Sequence, residues 1–182
     1  MVDFTQDISD RAPVFLNKQL EVLYNKIKKN PKDYISHRQY AEILLERPNK
    51  ERSLRAIQSL EIILSEKDDD IDSQVLYLIA LRYTEEMKKA KNLAERLIEE
   101  YPNTVGFHVQ LIQILQLENK LDQAEHHLKT ALKKFYDDEK LVRLNIRLQS
   151  RNKNWEKTLS LCNRALQTYP KDQRIVISQC QS

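Results

Sequence analysis

The sequence predicts an all-α fold built from repeated pairs of antiparallel helices, and three observations lead to this prediction. The chain has a single glycine among its 182 residues. This disfavours hairpin-rich β folds and phosphate-binding loops, because both need glycine in their turns. Apolar residues recur with helical spacing along the chain. Aromatic and small residues also return every 34 positions, and a fixed period of this length is typical of helical repeat arrays.

The 34-residue period places side chains of similar kind at equivalent points of successive repeats. Small side chains in the second helix of a pair let it approach the first helix closely, and larger apolar ones fill the remaining space. Pro31 lies 37 residues before Asp68, so the first repeat has three extra residues, which we place in the turn at 47–50. The equivalent positions are Tyr101, Phe135 and Tyr169; Ala56, Ala90, Ala124 and Thr158; Leu60, Ala94, Leu128 and Cys162; and Ile63, Leu97, Ala131 and Ala165.

Two segments resemble the tetratricopeptide repeat (TPR) family. One runs from Ala124 through Leu128 to Ala131, and the other runs from Thr158 to Ala165 and is followed by a proline. The resemblance covers residues 32–170, although the first helix of each repeat lacks the family's tryptophan–leucine–glycine pattern. It implies a right-handed α-solenoid of about four helix pairs, with an N-terminal capping helix and a partial C-terminal helix.

The predicted organisation follows from the period and from the prolines, which mark the connections between repeats. Helices are expected at 13–29, 32–47, 53–66, 71–85, 87–100, 104–118, 121–134, 138–151 and 155–168. The corresponding segments are a flexible N-terminus at 1–12, a capping helix at 13–30, repeats at 31–67, 68–101, 102–135 and 136–170, and the start of a further helix at 171–182.

The C-terminal segment carries an apolar face that no partner helix covers. Ile175, Val176 and Ile177 lie in this segment, and an apolar end of a repeat array is unfavourable in water. Either the natural chain continues or this helix joins another copy. This leaves open an alternative function, in which the repeats are a regulatory or oligomerisation region of a longer protein, such as an enzyme with its catalytic domain after residue 182.

Charge, cysteine content and hydropathy restrict the class of partner and the compartment. The formal net charge is +3 and the sequence pI is about 8.7, so nucleic acid is not the expected partner. The two cysteines are too few for a disulfide framework, which favours a reducing compartment and a cytoplasmic location. The sequence has neither a signal peptide nor an apolar run long enough for membrane insertion.

The family resemblance also implies which surface binds a partner. In such arrays the first helices line a concave groove. Here the middle of this groove is apolar and rich in amides, and the last repeat is basic. A basic stripe favours an acidic peptide or a terminal carboxylate, although it is also compatible with a merely solvated helix face. The predicted groove residues are Arg38, Gln39, Val75, Ile79, Arg82, Tyr83, Gln110, Gln113, Lys140, Arg143, Arg147 and Arg151.

No arrangement of residues predicts catalysis, a metal site or a cofactor. His126 and His127 are adjacent, and adjacent helical residues point about 100° apart, so they do not converge on one ion. Cys162 and Trp155 fall at core offsets of the repeat. We therefore predict a non-catalytic scaffold or adaptor that binds another protein or a peptide.

Overall fold

The computed structural model describes residues 14–84 and 86–169, and the regular secondary structure in these ranges is entirely helical. This confirms the all-α class. The predicted segments at 1–12 and 171–182 lie outside the described residues. The helices are α1 Val14–Lys29, α2 Tyr34–Glu46, α3 Lys50–Leu64, α4 Ile71–Leu81, α5 Met87–Glu100, α6 Val105–Leu117, α7 Leu121–Lys134, α8 Glu139–Arg151 and α9 Trp155–Thr168.

The chain divides into two compact units, Met1–Ala90 and Lys91–Ser182. In the first unit α1 packs against α2, while α2 contacts both its partner α3 and the next first helix, α4. In the second unit α6 contacts both its partner α7 and the next first helix, α8, which packs in turn against α9. Each unit therefore repeats one pattern, in which consecutive first helices lie side by side.

Side chains with short polar groups begin several of the helices. Asp33, Asn49, Asp70 and Asp138 each accept a hydrogen bond from a backbone N–H in the first turn of α2, α3, α4 and α8 respectively. Such caps satisfy backbone donors that have no partner within the helix. Pro31 and Pro102 lie three residues before the helices that follow them, so both prolines separate repeats.

The small residues of the 34-residue period lie in the helix interfaces. Ala56, Ala90 and Ala124 are completely buried, and Thr158 at the fourth equivalent position is 4% exposed. A larger side chain at these positions would hold the helices apart, because helix axes 8–10 Å apart leave little room at the contact. The burial of these residues confirms the packing role that their spacing predicts.

The three extra residues of the first repeat do not lie in the turn in which we expected them. One lengthens α3, which has 15 residues where α5, α7 and α9 have 14, and two lengthen the connection at 65–70 relative to those at 101–104 and 135–138. The connection between α2 and α3 is only residues 47–49, and α3 begins at Lys50, three residues earlier than predicted. Asn49 provides the physical reason, because its side chain accepts a hydrogen bond of 2.8 Å from the backbone N–H of Arg52. A cap of this kind stabilises the start of a helix by about 1 kcal/mol.

The turns within the third and fourth repeats are made without glycine. Asn119 and Lys153, which are 34 residues apart, have φ angles of 58° and 57°. Beyond each of them a backbone N–H returns to the helix, with Lys120 donating to Leu115 at 2.9 Å and Asn154 to Gln149 at 3.0 Å. This is the helix-ending arrangement that usually has glycine in the left-handed position. The one glycine of the chain, Gly106, lies instead within α6.

Replacing Ala124 by leucine tests whether the buried small positions control the fold. We expect Ala124→Leu to lower the free energy of unfolding by about 1–3 kcal/mol, because the added volume has no space in a packed interface. Lys133→Leu, at an exposed position of the same helix, is the matched control and should change stability much less. Urea denaturation followed by circular dichroism measures both. Equal stability of the two variants would contradict the packing described above.

Candidate functional site

The predicted groove residue Arg38 links two repeats within the first unit. It lies in α2, and its terminal nitrogens reach the carboxylates of Asp70 and Asp72 at the start of α4, the second at 3.4 Å. Asp70 also accepts from the backbone N–H of Ser73 at 3.2 Å, so one carboxylate both caps α4 and binds Arg38. The charge of Arg38 is therefore neutralised inside the protein and is not available to an anionic ligand.

The other predicted residues of the first unit form a mixed surface along α4. Val75 and Ile79 are partly buried, and Tyr83 is 42% exposed. Arg82 ends the helix and is also partly buried, and burial lowers the pKa of its guanidinium. Its guanidinium carbon lies 5.6 Å from the centre of the Tyr83 ring, a distance at which a cation and an aromatic ring attract each other.

A cavity of about 640 Å³ lies between α1 and α2 in the same unit. The sequence predicts α1 only as a cap, and Gln39 is the one predicted groove residue that lines this cavity. The lining combines polar and apolar side chains, as many binding surfaces do. Lys18 and Val22 are four residues apart in α1, and this spacing is the feature of the sequence that could have predicted a shared face of the helix at the cavity. The lining residues are Lys18, Gln19, Val22, Leu23, Gln39, Glu42 and Ile43.

In the second unit the middle of the predicted groove is more deeply buried than expected. Gln110 of α6 is only 5% exposed, so it belongs to the helix packing and does not line an open surface. Gln113, one turn further, is partly buried. The amide oxygens of both side chains are buried and accept no hydrogen bond within the described parts of the chain. Unpaired buried acceptors are unfavourable, and they mark a place where an added donor would be stabilised.

The basic residues of α8 divide into two kinds. Arg143 is partly buried and pairs with Glu139 one turn earlier in the same helix. Lys140, Arg147 and Arg151 are exposed, and no acidic side chain of residues 14–84 or 86–169 pairs with them. The predicted stripe of four cations is therefore reduced to three whose charge is not neutralised by an ion pair.

Two histidines that the sequence did not predict to interact meet between α6 and α7. His108 Nδ1 and His127 Nε2 are 3.2 Å apart, and the rings stack with their centres 5.3 Å apart. His108 Nε2 also lies 3.3 Å from the carbonyl oxygen of Pro102. If His108 donates from Nε2 to this carbonyl, its Nδ1 accepts from His127, and both rings are neutral.

Equivalent side chains in the earlier repeats make the same contact with the backbone. His37 Nε2 lies 3.1 Å from the carbonyl oxygen of Pro31, and the Gln74 amide donates to the carbonyl of Asp68. In each of these three repeats the polar side chain is six residues after the carbonyl that it binds. The role is structural, since it fixes the connection between repeats, and the recurrence of a polar residue at this offset was the available sequence signal.

The described residues contain no group of three or more histidine, cysteine or acidic side chains placed to hold a metal ion. No helix within 14–84 or 86–169 combines the length and the apolar character needed to cross a lipid bilayer. Cys162 is 2% exposed in a cluster with Ile146 and Ala165, as its core offset predicts. Cys162 is disulfide-bonded.

Comparison with solved structures shows the fold. A thermophilic TPR protein from Thermus thermophilus aligns with a TM-score of 0.73 and 18% identity, over 89% of this chain and 87% of that protein. A TPR protein from Parabacteroides merdae gives a TM-score of 0.74 at 13% identity, over 92% and 64%. YrrB, a TPR protein described as having an unusual peptide-binding site, gives 0.58 at 17% identity, over 92% and 84%.

These alignments define the class: the chain is an all-α helical repeat protein. More particularly, it has the fold of the TPR proteins, as the spacing of Ala124, Leu128 and Ala131 indicates. No protein-family model matches the sequence, and no curated protein matches it significantly. The structural alignments therefore show the TPR fold but identify no subfamily.

The paired histidines make stability dependent on pH. Burial, together with the smaller effects of the neighbouring His108 and His126, lowers the pKa of His127 from 6.5 to about 4. Because the unfolded chain takes up this proton first, the stabilising contribution is complete above about pH 6.5 and is lost as the pH falls towards 4. Between pH 7 and pH 5 we expect the unfolding free energy of the native protein to fall by about 1 kcal/mol more than that of His127→Gln, allowing for solvent screening.

Urea titrations at the two pH values measure this difference, and His126→Gln is the control. His126 is exposed and is the smallest of the causes that lower the pKa of His127, so its removal should change the pH dependence much less than His127→Gln does. A native protein and a His127→Gln variant with the same pH dependence would show that His127 is not held neutral in the folded state.

Proposed function

We propose that this chain is a non-catalytic protein-interaction module, a scaffold or adaptor that binds an acidic segment of another protein along α6 and α8. The TPR fold supports an interaction role in general, and the structural neighbour YrrB is described as having a peptide-binding site. Those similarities concern the fold, so the argument for this chain depends on its own residues.

The main support for this proposal is a set of exposed cations on α8 that form no ion pair among the described residues. Lys140, Arg147 and Arg151 are exposed, whereas Arg143 on the same helix pairs with Glu139. Residues 147 and 151 are one turn apart, and 140 precedes 147 by two turns, so these side chains lie near one face. Arginine offers a planar pair of donors to a carboxylate, which favours acidic side chains as ligands.

The dimensions of the stripe suggest the length of the bound segment. Residues 140 to 151 span about 16 Å at 1.5 Å per helical residue. An extended strand covers that distance in about five residues at 3.3 Å each. A ligand of this kind therefore needs two or three acidic residues within a short stretch.

The adjacent helix α6 provides contacts of a different kind. It contacts α8, and it carries amide and apolar side chains where α8 carries cations. Gln113 is partly buried and its amide oxygen has no donor among the described residues. The backbone N–H of an extended ligand could satisfy this acceptor, as could a small reorientation of the side chain on binding. We therefore favour an extended acidic peptide over a helical one.

Charge reversal on α8 tests the proposal. We expect peptides selected from a random display library by the native protein to be enriched in aspartate and glutamate, and Arg147→Glu with Arg151→Glu to abolish this enrichment because the carboxylates are then repelled. For an individual acidic peptide the dissociation constant should rise at least about tenfold. It should also rise with salt concentration, since exposed charges are screened.

The matched control is Lys133→Glu, an exposed charge reversal on α7 of the same unit, which should leave the affinity within about twofold. Arg143 is unsuitable for this test, because Arg143→Glu would place two carboxylates one helical turn apart. Selection of neutral peptides, or equal loss of binding in the control and the α8 variant, would contradict the proposal. Preferential retention of oligonucleotides would do so as well.

A second candidate function, self-association, is favoured by an observation on α9. Trp155, which its offset in the repeat wrongly predicts to be in the core, is 59% exposed, and Leu159 one turn further along this helix is 61% exposed. Two large apolar side chains on one helix face are unusual for a surface in contact only with water. This is compatible with the alternative that the repeats are an oligomerisation or regulatory region of a longer protein.

Sedimentation velocity at increasing protein concentration tests the second candidate. We expect the weight-average sedimentation coefficient to rise with concentration for the native protein and to stay at the monomer value for Trp155→Gln with Leu159→Gln, because the apolar contact is removed. The exposed pair Lys133→Gln with Lys153→Gln is the control and should associate as the native protein does. A native protein that remains monomeric throughout would exclude this function for the isolated chain.

A further inference from the structure

Arg82 is a partly buried cation beside which the described residues place no carboxylate. It ends α4 in the first unit, and its Nε atom is buried without a hydrogen-bond acceptor among the described residues. Two other groove arginines, Arg38 and Arg143, also have a buried Nε atom. Their terminal nitrogens, however, are placed on carboxylates of Asp70 and Glu139. In the described parts of the chain no carboxylate takes this position beside Arg82.

The electrostatic surroundings agree with this geometry. Burial lowers the pKa of Arg82, and Tyr83 is the neighbour that opposes this effect. A buried charge is costly unless an opposite charge is placed beside it. The burial of the Arg82 charge is therefore unfavourable in the free protein, and a bound anion would remove this free-energy cost.

Two apolar residues precede Arg82 on the same face of α4. Val75 and Ile79 precede it by seven and three residues, so the three side chains share one face of the helix. Both are partly buried, and Tyr83 is 42% exposed beside the guanidinium. The face therefore offers an apolar strip that ends in a cation with an aromatic ring next to it.

We propose that Arg82 and Tyr83 form a carboxylate-binding anchor, in which Val75 and Ile79 seat an apolar side chain adjacent to the bound carboxylate. This inference rests on the proposed protein-interaction function and names a second point of attachment in the other unit. The carboxylate comes either from an acidic side chain or from the C-terminus of the ligand, and both sources present the same planar group.

A single guanidinium suits a carboxylate better than a phosphate. Its two parallel N–H donors match a carboxylate in a bidentate pair, and one positive charge balances one negative charge. A phosphate group carries nearly two negative charges at pH 7 and would require a second cation.

Nuclear magnetic resonance of the full chain with three short peptides tests the anchor. The probes are acetyl-Leu-Ile-Glu-amide, with an acidic side chain only; acetyl-Leu-Ile-Ala with a free carboxyl terminus; and the neutral acetyl-Leu-Ile-Gln-amide. We expect at least one acidic probe to shift the Arg82 Nε–H resonance and the Ile79 methyl resonances in a saturable manner, at least about tenfold more tightly than the neutral probe. The two acidic probes distinguish the source of the carboxylate.

Three variants separate an anchor from a structural arginine. Arg82→Gln removes the charge and should reduce binding of the acidic probe to the level of the neutral one, and Arg82→Lys should recover only part of the difference because the planar fork is lost. Arg82→Gln should lower thermal stability less than Arg38→Gln does, since it removes only the contact with the Tyr83 ring and no ion pair among the described residues. Arg38→Gln, in contrast, breaks the contact with Asp70. Destabilisation by Arg82→Gln as large as that by Arg38→Gln would overturn the anchor.

The side-chain resonances of Gln113 and Arg147 in the second unit report on the proposed function separately. If acidic probes shift these two signals and leave Arg82 unchanged, the interaction function stands and the anchor is overturned. If Arg82 and Ile79 respond while Gln113 and Arg147 do not, the anchor stands and the site on α8 fails. Equal binding of neutral and acidic probes at Arg82, or tighter binding of inorganic phosphate, would also overturn the anchor.

Discussion

The close approach of neighbouring helices is the constraint on which the rest of this structure depends. Ala56, Ala90 and Ala124 are completely buried at equivalent points of three repeats, so the second helix of each pair can pack near its neighbours. In each unit the consecutive first helices then lie in contact, α2 with α4 and α6 with α8. The surfaces on which both proposals depend are therefore a direct consequence of methyl-sized side chains repeated every 34 residues.

The structure uses its arginines in two ways. Arg38 joins α2 to the capping residue of α4, and Arg143 pairs with Glu139 inside its own helix; these residues stabilise the fold. Arg82 is partly buried without a carboxylate partner, and Arg147 and Arg151 are exposed without one among the described residues. An exposed ion pair contributes little to stability, and an unpaired buried charge is unfavourable. Arg82, Arg147 and Arg151 would therefore be stabilised more by an anionic ligand than by their present surroundings.

Polar contacts at the connections between repeats complete the packing. His37, Gln74 and His108 each bind the carbonyl that lies six residues earlier, before the helix begins. A buried carbonyl needs a partner of this kind. In the fourth repeat the equivalent position is Val142, which cannot make this contact. The repeats therefore share their apolar packing more closely than their polar details.

Periodicity alone determined the helices and the buried small positions, because both depend on local helical geometry that the sequence records at every turn. The sequence could not decide which groove residues are available to a ligand. Arg38 meets an aspartate 32 positions later, Gln110 is enclosed by the helices packed around it, and Arg82 meets no carboxylate in the described structure. These outcomes depend on distances between side chains of different helices, and only the packing of the repeats fixes those distances.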